Sequence, residues 1–246
     1  MWRDDEPAAT PSHRIVAAIP ARLGSTRLPA KALAELGGLP LAARVWRAVA
    51  AAGLADAVYV VTDADAIEDA VCAAGGLVLR VDAPCRSGTE RVARAVASLA
   101  RRPDFVLNVQ GDEPFIGPDL LRPVVAALEG GAPIATAAAP LPPGDAARRD
   151  KVKVVRNHRG EALYFSRAPI PGALHVGLYG FRAEVLAGLA DLPRSALAAA
   201  EDLEQLDWLH AGLTIAVADV PRAPLSIDTA NDLEAARRLL AQAGNP

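Results

Sequence analysis

Cysteine is almost missing from this sequence: Cys72 and Cys85 are the only two in 246 residues. Cys72 falls in a stretch of helical pattern and Cys85 in a loop, so a disulfide framework is not expected and a reduced, cytoplasmic protein is. An excess of cations is missing too. The 26 Lys and Arg stand against 29 Asp and Glu, a formal net charge of -3, which argues against nucleic acid or an anionic membrane as partner. No apolar run is long enough to span a bilayer, because Asp56, Glu129 and Gly/Pro pairs interrupt the alanine-rich stretches. The opening "MWRDDEPAATPSHR" is acidic, polar and proline-containing, the reverse of a secretory leader, and residues 1–13 read as a flexible tail. Neither an internal repeat nor a Gly/Ser-rich linker divides the remainder, so 14–246 reads as one domain, ample to bury a core.

What is present is an alternation. "RIVAAIP", "DAVYVVTD", "GLVLRV" and "PDFVLNVQGDEP" read as strands. Each is followed by a helical pattern: "LPLAARVWRAVAAAG", "DAIEDAVCAAG", "GTERVARAVASLAR" and "PDLLRPVVAALEGG". Repeated βα units imply an α/β fold with a mostly parallel twisted sheet and helices on both faces. From Pro133 the rhythm changes to strands, including "VKVVRNHRGEALYFSR" turned at Asn157–Gly160, and "HVGLYGFR". Residues 133–182 therefore read as a β-rich insertion on the α/β domain. "AEDLEQLDWLHAG" is expected as one amphipathic helix, "LTIAVADV" as the last strand, and "TANDLEAARRLLAQAG" as the closing helix, capped by Thr229 or Asn231.

In such a sheet, ligands bind beyond the carboxyl ends of the strands. The loop after the first strand, "IPARLGSTRLPAK", carries Arg22, Ser25, Thr26, Arg27 and Lys31. Gly24 and the hydroxyls let backbone N–H groups approach phosphate oxygens, and Arg22 can fork onto an oxyanion. The loop is neither a Walker A nor a GxGxxG motif. Taken alone, it reads equally well as a solvated basic turn. Its neighbours weigh toward a site: Thr62, Asp63 and Asp65 follow the second strand, Arg86–Thr89 precede the third helix, and Gln110–Glu113 follow the fourth strand. Cations on one loop facing acids on the others suit a polyphosphate with its magnesium.

"IPARLGSTRLPAK", "SGTER", "NVQGDEPFI", "ALYFSR", "HVGLYGFR", "LEQL" and "IDTANDLEAARRLL" stand in the order found in the 3-deoxy-D-manno-octulosonate cytidylyltransferases, and the chain resembles that family from Arg14 to Leu240. The resemblance implies a nucleotide-diphospho-sugar transferase-like, Rossmann-like sheet with 133–182 as a small dimerisation subdomain. It also implies cytidylyl transfer from CTP to the anomeric hydroxyl of a 2-keto-3-deoxy sugar acid, with lipopolysaccharide biosynthesis as the setting and a homodimer as the assembly. Arg22 and Lys31, with Ser25 and Arg27 nearby, inherit the CTP phosphates. Ser87, Gly88, Thr89 and Gln110 inherit the cytosine and ribose, and Asp112 and Asp228 inherit Mg²⁺. Arg167, His175, Tyr179, Glu204 and Gln205 inherit the sugar acid. Without the resemblance, Asp228 reads as a helix N-cap, His175 as a structural histidine, and Glu204 and Gln205 as helix-surface residues.

The sequence departs from the family pattern on the acceptor side. Only Gly172-Ala173-Leu174 remain of a loop that is normally much longer, Ala198 stands where a carboxylate is expected, LEQLR becomes "LEQLD", and Ser226 replaces a glycine. A different, smaller acid acceptor is therefore a second expectation. Two other readings compete: a metal-dependent glycosyltransferase using Asp63 and Asp65 of "TDAD" as a DxD motif, and an inactive nucleotide-binding protein.

Overall fold

In the computed structural model, the described residues are 13–25 and 27–243. Of the tail read at 1–13 only His13 falls among them, with its ring 4.5 Å from that of Phe105; the rest, and Thr26 of the basic loop, lie outside. The chain opens with β1 (Ile15–Pro20), a 3-10 turn at Lys31–Leu33, the small hairpin β2 (Glu35–Leu36) and β3 (Leu39–Pro40), and α1 (Leu41–Ala51). Three further units follow: β4 (Ala57–Thr62) with α2 (Asp65–Ala73), β5 (Leu77–Arg80) with α3 (Gly88–Ala97), and β6 (Phe105–Asn108) with α4 (Pro118–Glu129). Then come β7 (Ile134–Ala139), β8 (Lys153–Arg156), β9 (Ala162–Ser166) and β10 (Ala173–Arg182). The chain continues through α5 (Ala183–Leu189), α6 (Ala196–Glu201), α7 (Gln205–His210), β11 (Ile215–Asp219) and α8 (Ala230–Ala243).

The sheet runs β11-β7-β10-β6-β1-β4-β5. β1 pairs in parallel with both β4 and β6, β4 with β5, and β7 with β11. β10 lies between β6 and β7 and is antiparallel to both. Within residues 133–182, β7 and β10 are thus integral strands of the sheet, while β8 and β9 extend from it as an antiparallel hairpin. β1 is almost wholly buried, as expected for a strand covered on both faces. Its Ile15, Ala17 and Ile19 pack with α1, α2, α4 and α8, and Ala18 faces the opposite core with α3, α5 and α7. Gly180 is required where β10 passes under α4: a Cβ there would stand 2.8 Å from side-chain carbons of both Val124 and Leu128.

The helix termini follow local chemistry. Ser87 accepts from the Glu90 N–H at the start of α3. At the start of α8, Thr229 Oγ1 accepts from the Asp232 N–H while Asp232 Oδ2 accepts from the Thr229 N–H, a reciprocal cap. One expected helix is two. "AEDLEQLDWLHAG" breaks between α6 and α7, because Asp202 adopts φ 52° and closes α6 with its N–H on the Ala198 carbonyl. Short polar side chains tolerate that left-handed geometry, and the break turns Leu203 into the core. No helix among the described residues is long and apolar enough to cross a membrane.

Candidate active site

Three loops at the carboxyl ends of the parallel strands meet around a cavity of about 400 Å³. Arg22, Gly24, Ser25, Arg27 and Lys31 come from the loop after β1. Ser87 and Gly88 come from the start of α3, and Gln110, Gly111 and Asp112 from the loop after β6. Asp228, which immediately precedes the α8 cap, closes the rim. Eight of the nine residues expected at the nucleotide and its metal thus share one space, namely Arg22, Ser25, Lys31, Ser87, Gly88, Gln110, Asp112 and Asp228, while the ninth, Thr89, lines the second cavity instead. Gly111 makes the convergence possible, since a Cβ there would lie 2.8 Å from the Pro20 carbonyl oxygen.

At the centre is a cation between two acids. Lys31 Nζ donates to Asp112 Oδ2 at 2.7 Å and to Asp228 Oδ1 at 3.0 Å, across 81 and 197 residues of sequence. Those two carboxylate oxygens can be no more than 5.7 Å apart, the sum of the two Lys31 distances. Arg27 adds a contact of 3.0 Å to the same Asp228 oxygen. Burial acts most strongly on the Lys31 ammonium and pulls its pKa down, but Asp112 and Asp228 together outweigh it and hold it above the ordinary lysine value. Asp228 is not the helix cap; Thr229 and Asp232 fill that role and leave its carboxylate free for the cavity. Behind Asp112, burial and the neighbouring Asp112 charge push buried Glu113 up to about 8.

The residues assigned to the sugar acid are dispersed. A second cavity of about 110 Å³ lies beside the first, walled by α3, α5 and α7, and Glu204 is the member of that set lining it. Thr89, buried, donates to Glu204 Oε1 at 2.6 Å and accepts from Asn108 Nδ2 at 3.2 Å. Gln205 is 4% exposed and lines neither cavity, so it is a core residue and not a surface one. His175 and Tyr179 lie beneath, in an aromatic cluster with Phe165, Phe181 and Trp208. Thr136 Oγ1 donates to the Leu178 carbonyl at 2.8 Å, leaving its oxygen to accept from His175 Nε2–H at 3.0 Å. Burial alone takes His175 down to about 3, so the ring is neutral. Tyr179 Oη and Asn108 Oδ1, on directly opposed residues of β10 and β6, have no hydrogen-bond partner among the described residues.

Arg167 lines neither cavity. Its Nε donates to the Glu201 carbonyl at 2.9 Å, and its Nη1 and Nη2 lie 3.4 Å from the Arg149 and Asp202 carbonyls. Glu201 accepts from the Ser166 hydroxyl and the Arg167 N–H, and the fully buried Lys153 ammonium holds the carbonyls of Arg148, Lys151 and Arg167. Where "LEQLD" departs from the family, Asp207 accepts from the Ser195 N–H at 2.6 Å.

Two wall residues of the first cavity, Cys85 and Arg91, were not singled out from the sequence as site residues, and Arg86 was placed beside the site without a role of its own. "CRSGTER" carried the signal, two arginines flanking the glycine-containing turn. Both cysteines are free. Asp63 and Asp65 of "TDAD" line no part of the first cavity and are each paired with an arginine, Arg91 at 2.8 Å and Arg80 at 2.8 Å, so the carboxylates that meet the basic loop are Asp112 and Asp228 rather than those of the DxD reading.

A basic loop facing paired carboxylates at the switch edge of a doubly covered sheet marks the class of α/β nucleotidyltransferases. Solved structures support the class at the level of fold. The 4-diphosphocytidyl-2C-methyl-D-erythritol synthase of Anaerococcus prevotii superposes with a TM-score of 0.65 at 15% identity, covering 93% of this chain and 99% of that one. The chain belongs to the cytidylyltransferase family, whose sequence model matches residues 16–215. Among its relatives, the 3-deoxy-manno-octulosonate cytidylyltransferase of Anaeromyxobacter sp. (strain Fw109-5) is 46% identical over 178 residues, spanning 68% of this chain and 73% of the relative. That of Rhodospirillum centenum is 45% identical over 184 residues, 68% and 71% of the two chains. A CMP:2-keto-3-deoxy-manno-octonic acid synthetase solved in complex with CTP superposes with a TM-score of 0.89 at 36% identity, covering 94% of this chain and 99% of that one.

Proposed function

We propose that this enzyme transfers the cytidylyl group of CTP to the anomeric hydroxyl of 3-deoxy-manno-octulosonate, releasing pyrophosphate. The observation that carries the reading is the first cavity, where Arg22, Arg27 and Lys31 face Asp112 and Asp228. The relatives that share this sequence are named for that reaction.

Nucleotidyl transfer at phosphorus needs alignment and charge neutralisation more than a protein nucleophile. Arg22 and Lys31 hold the triphosphate and stabilise the pyrophosphate as it leaves. Ser87, Gly88 and Gln110 line the wall against which the nucleoside lies, and Thr89 orients Glu204 toward the acceptor. His175 and Tyr179 support that wall from below.

Asp112 and Asp228 fit Mg²⁺. Their oxygens already share one cation, the Lys31 ammonium. No cluster of three or more His, Cys, Asp or Glu accompanies them among the described residues. That suits a metal which takes one or two carboxylates and completes its shell with phosphate and water. The ion would neutralise phosphate charge and lower the hydroxyl's pKa.

The second cavity, about 110 Å³, favours a second reading in which the acceptor is a more compact 2-keto acid. Pyrophosphate release from CTP with a panel of sugar acids, with and without EDTA, tests both. The octulosonate or a smaller 2-keto acid supports turnover, and chelation abolishes it. Turnover of another nucleotide in preference to CTP contradicts the assignment. The enzyme works as a homodimer in this reading, through the β8–β9 hairpin, where Leu163 is 59% exposed. Sedimentation velocity on the chain and on Leu163→Lys checks it: a dimer for the first and a shift to monomer for the second.

A further inference from the structure

The chemistry of a 2-keto sugar acid fixes where its carboxylate must lie. The attacking hydroxyl is on C2 and the carboxylate is the adjoining C1. A hydroxyl aligned on the α-phosphorus therefore carries the carboxylate to the border between nucleotide and acceptor. A cation that reads it must stand at that border and not at the far end of the sugar.

Arg86 stands there. The two cavities have two lining residues in common, Arg86 and Ser87, and Arg86 is the cation of the pair. Its guanidinium is held from behind. Glu90 Oε2 accepts from the Arg86 backbone N–H at 2.8 Å and from Nε at 3.2 Å, and Nη2 donates to the Ala190 carbonyl. Nη1 makes no hydrogen bond among the described residues. Glu90 is itself fixed: hydrogen bonds from the Arg86 backbone and from Arg94 hold its carboxyl down at about 2, so the anchor is ionised across the working pH range. Arg167 is differently placed, lining neither cavity with its guanidinium spent on main-chain carbonyls. The other cation of the second cavity, Arg194, is tied to the Ala198 carbonyl and Asp202.

We propose that Arg86, rather than Arg167, is the specificity-determining residue that binds the acceptor's carboxylate at the border of the two cavities. The inference rests on the acceptor being a carboxylic acid, as proposed above. A guanidinium anchored on one edge presents its other edge to a carboxylate, which selects an acid over its neutral analogue.

The test compares the intact chain with Arg86→Gln, Arg86→Lys and Arg167→Gln, using 3-deoxy-manno-octulosonate and its C1 amide, with KM measured separately for acceptor and CTP. The intact enzyme prefers the acid. Arg86→Gln raises KM for the acid by about tenfold or more, changes KM for CTP by less than about threefold, and erases the acid-over-amide preference. Arg86→Lys restores part of that preference, and Arg167→Gln leaves it in place. Loss of the preference in Arg167→Gln with retention in Arg86→Gln overturns the inference, as does an equal rise in both KM values for Arg86→Gln. An intact chain that uses no acid with CTP overturns the functional reading itself, a result separable from either of these.

Discussion

Lys31 carries the plainest consequence at the scale of single residues. Among the described residues it is the one group hydrogen-bonded to both acids of the cavity, and removing its charge leaves Asp112 and Asp228 repelling each other until a divalent ion enters. Lys31→Met and Asp228→Asn are each expected to lower turnover by about a hundredfold or more, with thermal stability little changed for Asp228→Asn. Steady-state pyrophosphate release and a melting curve on each variant check this. His175 makes a pH prediction of definite sign. Its pKa falls from 6.5 in the unfolded chain to about 3 when buried. The unfolded state therefore binds a proton that the native state refuses between those values, and stability present above pH 6.5 is lost as pH falls toward 3. Between pH 7.5 and pH 5 the loss is about 2 kcal/mol. Denaturant titrations at the two pH values should show it, and His175→Gln should flatten it. The residues legible in the sequence at this scale were those on loops after strands, where type and position coincide. Glu90 and Lys153, and the role of Arg86 beyond its place on a site loop, were not legible, because each acts through partners brought in by folding, such as Ala190 across 104 residues from Arg86.

At the scale of elements, the site depends on two loops touching at one backbone point. Gly111 lies so close to the Pro20 carbonyl that a single methyl group must push the loop after β6 away from the loop after β1. Gly111→Ala is expected to cost about 1–3 kcal/mol of stability. It should also raise KM for CTP, since Asp112 moves with the loop; chemical denaturation and initial rates read the two effects. The βα alternation and the Thr229 cap of α8 were legible, since both are written in local spacing. Two features were not. Strand direction leaves no periodic trace, so nothing in "HVGLYGFR" announced that β10 runs antiparallel between β6 and β7. The break at Asp202 was hidden because the helical pattern continues through it, while Leu203 is claimed by the core.

For the molecule as a whole, β1 is the organising strand: both its edges are paired, to β4 and to β6, and the loops that leave β1 and β6 open onto one cavity. That placement makes the triphosphate and its ion a joint load on residues from opposite ends of the chain, Lys31 near the beginning and Asp228 near the end. The first cavity is assembled by loops that bring Arg22, Lys31, Asp112 and Asp228 to one wall. The acceptor half is where the chain departs from its family's pattern, with β10 beginning at Ala173 directly after Gly172 and Arg167 turned to main-chain carbonyls. The most direct measurement is a crystal structure of the chain with CTP and Mg²⁺. The account predicts the ion bound by both Asp112 and Asp228, with the phosphates against Arg22 and Lys31. A triphosphate lying outside this cavity, or a metal ion that Asp228 does not touch, would contradict it.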